Sequence, residues 1–83
     1  MKIGIGITTF KRPECLNLFL TQLANNPPAS ECIVHVAADI PSIAAAKNQC
    51  LNVLFNEDCD FIFLFDDDCF PIKPQWDLPF IQS

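Results

Sequence analysis

Three consecutive aspartates follow the most apolar segment of the chain. The sequence reads FIFLF at residues 61–65 and continues with Asp66, Asp67 and Asp68. Neighbouring carboxylates that lie about 5 to 7 Å apart repel one another by roughly 2 to 3 kcal/mol at an effective dielectric near 20. Divalent Mg²⁺ and Mn²⁺ favour such oxygen ligands and take phosphate oxygens and water as the remaining ones. Because side chains alternate along an extended segment, we predict that Asp66 and Asp68 bind a metal together while Asp67 points the other way.

Polar residues also follow two other segments that we predict to be strands. Thr8, Thr9 and Arg12 come after the first, where hydroxyl groups suit a base or ribose and the guanidinium offers a forked donor. Asp39 directly follows the second. Lys47 lies in the apolar arc of a predicted helix, and long helical side chains lean towards the helix N-terminus. We therefore expect its ammonium group to reach the same region.

Three segments are short, continuously apolar and rich in branched or aromatic residues, which is typical of buried strands. They span residues 3–8, 32–38 and 61–65. Each is too apolar to have one face in water, so helices must cover both faces of the sheet.

Two helical patterns separate these strands. The first begins with Pro13, which suits the first helical position, and stops at Asn25 or Asn26, before two prolines. The second is capped by Ser42 and ends near residues 56–58. The chain thus alternates strand, helix, strand, helix, strand.

This alternation predicts one α/β domain over residues 1–83, with a short parallel sheet between two helical layers. Right-handed crossovers favour the strand order 2-1-3, which places the first strand in the centre. In such Rossmann-like sheets ligands bind beyond the carboxyl ends of the strands, where the winding direction reverses. The polar residues at the strand ends should therefore meet at one edge.

Composition limits the partners of the chain. A net charge of −5, with only five lysines and arginines, argues against nucleic-acid binding, which requires a basic surface. The five cysteines are odd in number and lack zinc or disulfide spacing. The first residues lack the apolar h-region and small-residue cleavage site that are typical of a signal peptide, and no apolar run reaches about 18 residues. We expect a cytoplasmic chain with reduced thiols and no membrane span. Since 51% of the residues are apolar in so short a chain, we also expect a homo-oligomer.

Three motifs resemble, in order and spacing, the N-terminal, nucleotide-binding half of family 2 glycosyltransferases of the GT-A fold. IGITTFKRPECL at 5–16 is similar to the opening strand, turn and helix of that family, and SIAAAKNQCL at 42–51 is similar to its helix with a small-small-Arg/Lys-Asn run. FIFLFDDDCFP at 61–71 is similar to its strand that ends in a DxD motif. The resemblance covers about residues 3–76.

The resemblance implies a nucleotide-sugar donor, most simply a uridine diphosphate (UDP) sugar. By this resemblance Thr8 and Thr9 line the nucleotide pocket, and Arg12 and Lys47 face the nucleotide or its diphosphate. Asp39 takes the place of the acid that meets the base. Family members carry a further helix and strand before the helix with Lys47, where this chain has only DIPS.

The resemblance also implies a metal. Asp66 and Asp68 match the DxD pair that holds Mn²⁺ or Mg²⁺, with Asp66 also close to the nucleotide and Asp68 the direct ligand. The family continues beyond this motif into an acceptor-binding half that supplies the general base. Asp67 and Asp77 are available carboxylates, but neither is a convincing general base, so no catalytic residue is assigned.

The sequence therefore predicts a metal-dependent glycosyltransferase or its donor-binding half. Two alternatives remain open. One is a module that binds a nucleotide-sugar or a metal without turnover, and the other is a structural remnant whose aspartates form a solvated strand exit. Donor hydrolysis distinguishes the enzyme from the binding module, and metal-dependent nucleotide binding distinguishes both from the remnant.

Overall fold

Strands and helices alternate along the chain, as predicted. The computed structural model describes residues 2–69 and 71–81. Its elements are β1 (Lys2–Thr9), α1 (Pro13–Asn25), β2 (Glu31–Ala38), α2 (Ile43–Phe55), β3 (Phe61–Asp66) and α3 (Leu78–Ile81). The predicted strands and helices start and end close to these limits, and the short α3 is the one element that the sequence patterns did not indicate.

The three strands form one parallel sheet with the order β2-β1-β3, which confirms the predicted topology. Ile3 of β1 lies beside Cys32 of β2 and Phe61 of β3. Because all three strands run the same way, their carboxyl ends share one edge of the sheet. Thr8, Ala37 and Asp66 are neighbours at that edge.

The central strand has two different faces. Ile3, Ile5 and Ile7 are fully buried on one of them. Phe19 and Leu23 of α1 pack against this face. Trp76, from the segment after β3, completes the same cluster. One layer of the fold thus consists of α1 and the segment after β3, residues 71–81, which we call the C-terminal segment.

The opposite face of β1 carries glycines, which allow α2 to approach closely. A Cβ atom on Gly6 would lie 2.8 Å from the Cβ of Cys50 and 2.9 Å from Cδ2 of Leu64. Cys50 is completely buried there, and this burial raises the pKa of its thiol. Ala37 and Ala46 fill the rest of the contact. The helix therefore packs closely on the glycine backbone of β1.

The start of α2 is fixed by its cap. The Ser42 hydroxyl accepts a hydrogen bond from the backbone N–H of Ala45 at 3.2 Å, as the sequence predicts. This contact anchors the first turn of α2 beside the carboxyl ends of the strands. The first turn is therefore held in place where a ligand of the strand ends would meet it.

The C-terminal segment is held by Trp76 and Asp77. The Trp76 ring lies edge-on to Phe63 and Phe65, and its indole N–H donates to the carbonyl of Asn26 at 3.0 Å. Asp77 is fully buried and accepts hydrogen bonds from the Ala29 N–H, the Ser30 N–H and the Ser30 hydroxyl. Burial is the largest influence on the pKa of Asp77 and raises it, but these hydrogen bonds together outweigh burial and hold the pKa below its usual value.

We predict that Gly6→Ala destabilises the protein. The added methyl group would overpack against Cys50, which should lower the free energy of unfolding by about 1 to 3 kcal/mol. Alanine also reduces the conformational entropy of the unfolded chain, but this raises the free energy of unfolding by only about 0.4 to 1 kcal/mol. Gly4→Ala is the matched control, because its closest contacts are longer, at 3.0 Å to Cys59 and 3.1 Å to Leu54. Urea unfolding of both variants measures the difference. A Gly6→Ala variant as stable as Gly4→Ala would contradict the close packing of α2.

Candidate functional site

A cleft of about 210 Å³ lies at the carboxyl edge of the sheet, beside the first turn of α2. Its lining combines hydroxyl groups, one guanidinium, two carboxylates and a few apolar side chains: Thr8, Thr9, Phe10, Arg12, Ile40, Ile43, Ala46, Asp66 and Asp68. Five residues that we predicted for the site are among them, namely Thr8, Thr9, Arg12, Asp66 and Asp68. The fold thus brings together residues from the ends of β1 and β3 and from α2.

The pairing of β1 with β3 explains why these residues converge. Thr8 lies beside Asp66 in the register, and both side chains are on the α2 side of the sheet. The Thr8 hydroxyl donates to Oδ1 of Asp66 at 3.1 Å. This contact sets the direction of one carboxylate at the mouth of the cleft.

Asp67 has a different environment from its two neighbours. It is 1% exposed, and both of its carboxylate oxygens are occupied. Oδ2 accepts from the Thr9 hydroxyl at 2.7 Å, and Oδ1 lies 2.5 Å from Nη2 of Arg12. Asp67 is thus a structural ion-pair partner, a role that sequence reasoning missed. Extending the β1–β3 register by one residue beyond Thr8 and Asp66 would have placed Thr9 beside it.

Asp66 and Asp68 remain exposed to solvent. Within residues 2–69 and 71–81 the only ion pair is the one between Arg12 and Asp67, so these two carboxylates are not compensated by a cation of the chain. No group of three His, Cys, Asp or Glu side chains in the described part of the chain is arranged to hold a metal. A metal here would therefore have two carboxylate ligands at most, which is common for Mg²⁺ when a phosphate supplies further oxygens.

Cys69 is the nearest thiol to these carboxylates. Its Sγ lies 3.5 Å from Oδ1 of Asp68, and this hydrogen bond, followed by the negative charge of Asp68, raises the pKa of Cys69. In this arrangement the neighbouring carboxylate favours the protonated thiol.

Asp39 and Lys47 are not among the residues that line the cleft. The Asp39 carboxylate accepts the backbone N–H of Lys11 at 2.7 Å, and its own N–H donates to the Thr9 carbonyl at 2.9 Å. Both Asp39 and Lys11 have a positive φ, near 59° and 52°, so this contact fixes two strained loops against each other. Lys47 is partly buried on α2, one turn after Ile43. A nucleotide-binding role for either residue stays a prediction.

Comparisons of the chain with protein-family models, with curated proteins and with solved structures found no match. A site is therefore indicated by the cleft, by its lining residues and by the three sequence motifs. The resemblance to family 2 glycosyltransferases stays a hypothesis.

Thr8 and Thr9 provide a test of the different roles of the aspartates. Both are 8% exposed, but the hydroxyl of Thr9 donates to a buried carboxylate and that of Thr8 to an exposed one. We expect Thr9→Val to lower the free energy of unfolding by about 1.5 to 3 kcal/mol, and Thr8→Val by less than about 1 kcal/mol. Urea unfolding at neutral pH measures both values. Equal losses would contradict the structural role of Asp67.

Proposed function

We propose that this chain binds a nucleoside diphosphate sugar, most simply a UDP-sugar, at the strand-end cleft through Mn²⁺ or Mg²⁺. The observation that carries the proposal is the meeting of Asp66 and Asp68 with Thr8, Thr9 and Arg12 in one cleft. Its position beyond the carboxyl ends of parallel strands is where ligands bind in sheets of this kind. The three motifs of the GT-A type make glycosyl transfer the class of reaction that this donor would serve.

The two exposed carboxylates fit a divalent cation. Asp66 and Asp68 line the same cleft and are not paired with any described cation, so a metal would relieve their repulsion. Bound there, the cation would supply Lewis-acid stabilisation of a departing diphosphate. Thr8 and Thr9 line the same cleft, and their hydroxyls donate to Asp66 and Asp67 in the structure.

The size of the cleft limits how much of a donor it encloses. Its volume of about 210 Å³ is below the roughly 300 to 1,000 Å³ of pockets that bury drug-sized ligands. A diphosphate and part of a nucleoside match this volume, whereas the sugar would extend outside. The sugar must then be covered by something else before transfer, because the reaction requires water to be kept out.

A general base is the missing component. Asp67 is buried against Arg12, and Asp77 is buried against Ala29 and Ser30, so neither carboxylate faces the cleft. Transfer needs an acceptor hydroxyl that is held in line and loses its proton. We therefore propose donor binding with slow hydrolysis, and no detectable transfer to simple sugars by this chain alone. The binding module without turnover is the alternative, and a test for hydrolysis separates the two.

The net charge and the unpaired cysteines bear on the partners and the location of the chain. A net charge of −5 argues against nucleic acid as a partner. None of the helices in the described residues has the length and hydrophobicity that a membrane crossing requires. All five cysteines are unpaired, which supports our proposal of a reducing, cytoplasmic environment.

Metal and nucleotide should bind cooperatively if the proposal is correct. We expect UDP to bind the wild type with Mn²⁺ and far more weakly without it, since the metal links the diphosphate to the acidic lining. Asp68→Asn should abolish this coupling and leave the fold without metal equally or more stable, because it removes one charge from a crowded group. Calorimetric titration with UDP, with and without Mn²⁺, and thermal melts measure both effects.

Asp58→Asn is the matched control for Asp68→Asn. It removes the same charge from an exposed residue between α2 and β3, at the opposite end of the sheet, and should leave the coupling unchanged. Lys47→Ala should weaken UDP binding by about 1 to 3 kcal/mol with the metal still bound, whereas Lys73→Ala should not. Unchanged binding of Mn²⁺ and UDP by Asp68→Asn would refute the metal site.

We also propose that the chain self-associates through the surface at β3. This strand is at the edge of the sheet, beside an apolar groove of about 550 Å³ between β3 and the C-terminal segment. Apolar side chains remain exposed around it, including Ile72 at 80% and Phe61 at 41%. Open strand edges and large apolar patches are characteristic of interfaces.

Ile72→Glu should shift this association towards the monomer, because it places a charge in the apolar groove. Phe55→Glu is the matched control, since Phe55 is exposed to a similar extent, 78% against 80%, but lies at the end of α2, outside the groove. Light scattering from micromolar to near-millimolar concentration gives the mass of each variant. A wild type that is monomeric throughout this range would refute self-association.

A further inference from the structure

Arg12 forms an ion pair with a buried carboxylate and also lines the cleft. It is the only arginine of the sequence. Its guanidinium forms the ion pair with Asp67, yet 52% of its side chain is exposed and lines the cleft. The ion pair therefore holds Arg12 at the cleft without burying it.

Asp67 cannot take part in ligand binding directly. Its side chain is completely buried, and its two oxygens are occupied by Thr9 and Arg12. Its neighbours Asp66 and Asp68 are the ones that line the cleft. Any effect of Asp67 on a ligand through direct contacts must therefore pass through Thr9 or Arg12.

The geometry leaves most of the guanidinium available. A guanidinium has five N–H donors in a fixed plane, and the contact with Asp67 is made by Nη2 alone. The other donors belong to a planar group that one strong ion pair already orients. An arginine held in this way loses less conformational entropy on binding a phosphate than a freely rotating one does.

We propose that Asp67 is a positioning residue that fixes Arg12 as the phosphate-binding cation of the cleft. This proposal rests on the proposed function, because it assumes a diphosphate ligand in the same cleft. A divalent metal balances the two charges of Asp66 and Asp68, so the diphosphate brings further negative charge that the metal alone does not neutralise. Arg12 is the one cationic side chain in the lining of the cleft and is placed to compensate that charge.

Titration with inorganic pyrophosphate and Mg²⁺ tests this role. We expect Asp67→Asn to weaken pyrophosphate binding about tenfold, the equivalent of one charge-assisted hydrogen bond. Asp58→Asn, which removes the same charge at the opposite end of the sheet, should leave the affinity unchanged. Thermal melts show whether each variant is folded at the temperature of the titration.

Arg12→Lys supplies the second variant, and it keeps the charge opposite Asp67. It should fold even if Asp67→Asn does not, but its single ammonium cannot hold Asp67 and present a fork at once. We expect a similar loss of pyrophosphate affinity. When both changes are combined, the loss should be no larger than for Arg12→Lys alone, because Asp67 acts only through Arg12.

Nuclear magnetic resonance of the guanidinium gives a readout that does not depend on stability. Since Arg12 is the only arginine, its side-chain nitrogen signals need no assignment by mutation. We expect hindered rotation in the wild type, averaged signals in Asp67→Asn, and a shift of the wild-type signals when pyrophosphate and Mg²⁺ are added.

The outcomes separate this proposal from the proposed function. If the wild type binds pyrophosphate with Mg²⁺ but Asp67→Asn or Arg12→Lys binds it equally well, the positioning role is refuted and the metal site stands. The positioning role is also refuted if Asp67→Asn lowers pyrophosphate affinity as much in the Arg12→Lys variant as it does in the wild type. If the wild type binds neither pyrophosphate nor UDP with either metal, the proposed function itself is refuted, and the positioning role with it.

Discussion

The packing of β1 is the constraint on which the rest of the fold depends. This strand lies between β2 and β3. Isoleucines and glycines alternate along it, so different groups must pack against its two faces. The isoleucine face needs large side chains, which α1 and the C-terminal segment provide. The glycine face needs a helix at close range, which α2 provides through Cys50 and Ala46. Because α2 sits so close to the sheet, its first turn forms a wall of the cleft at the strand ends.

The three consecutive aspartates lie in two different environments. Alternation of side chains at the end of β3 buries the middle carboxylate and leaves the outer two exposed. The buried one is compensated by Arg12 and Thr9, so the repulsion within the run is partly relieved by the chain itself. Two negative charges remain uncompensated, and this local charge is what a divalent cation would balance. The same ion pair brings a positive group to the cleft beside them.

Much of the fold was predictable because local patterns and global topology agree. The apolar strands, Pro13 at the start of α1 and the Ser42 cap were all evident in the sequence, and right-handed crossovers favour the strand order that the structure has. The site was predictable only in part. Thr8, Thr9, Arg12, Asp66 and Asp68 meet because they follow strand ends, whereas the partners of Asp39 and Asp67 depend on loop geometry and on exact register. Those features are set by tertiary contacts that periodicity does not record.

The position of β1 in the chain also affects how the protein acquires its structure during synthesis. The central strand, β1, is the first of the three strands to be made. Its second edge can pair only when β3 has been made, because Ile3 pairs with Phe61. Until then, β1, α1 and β2 can form only a partial sheet whose isoleucine face is not covered by Trp76. Contacts between residues so far apart in sequence form slowly, and the apolar strands stay accessible to other chains meanwhile. An intermediate in which β1 and β2 are paired while β3 is not therefore exposes apolar strand surface through which chains can aggregate.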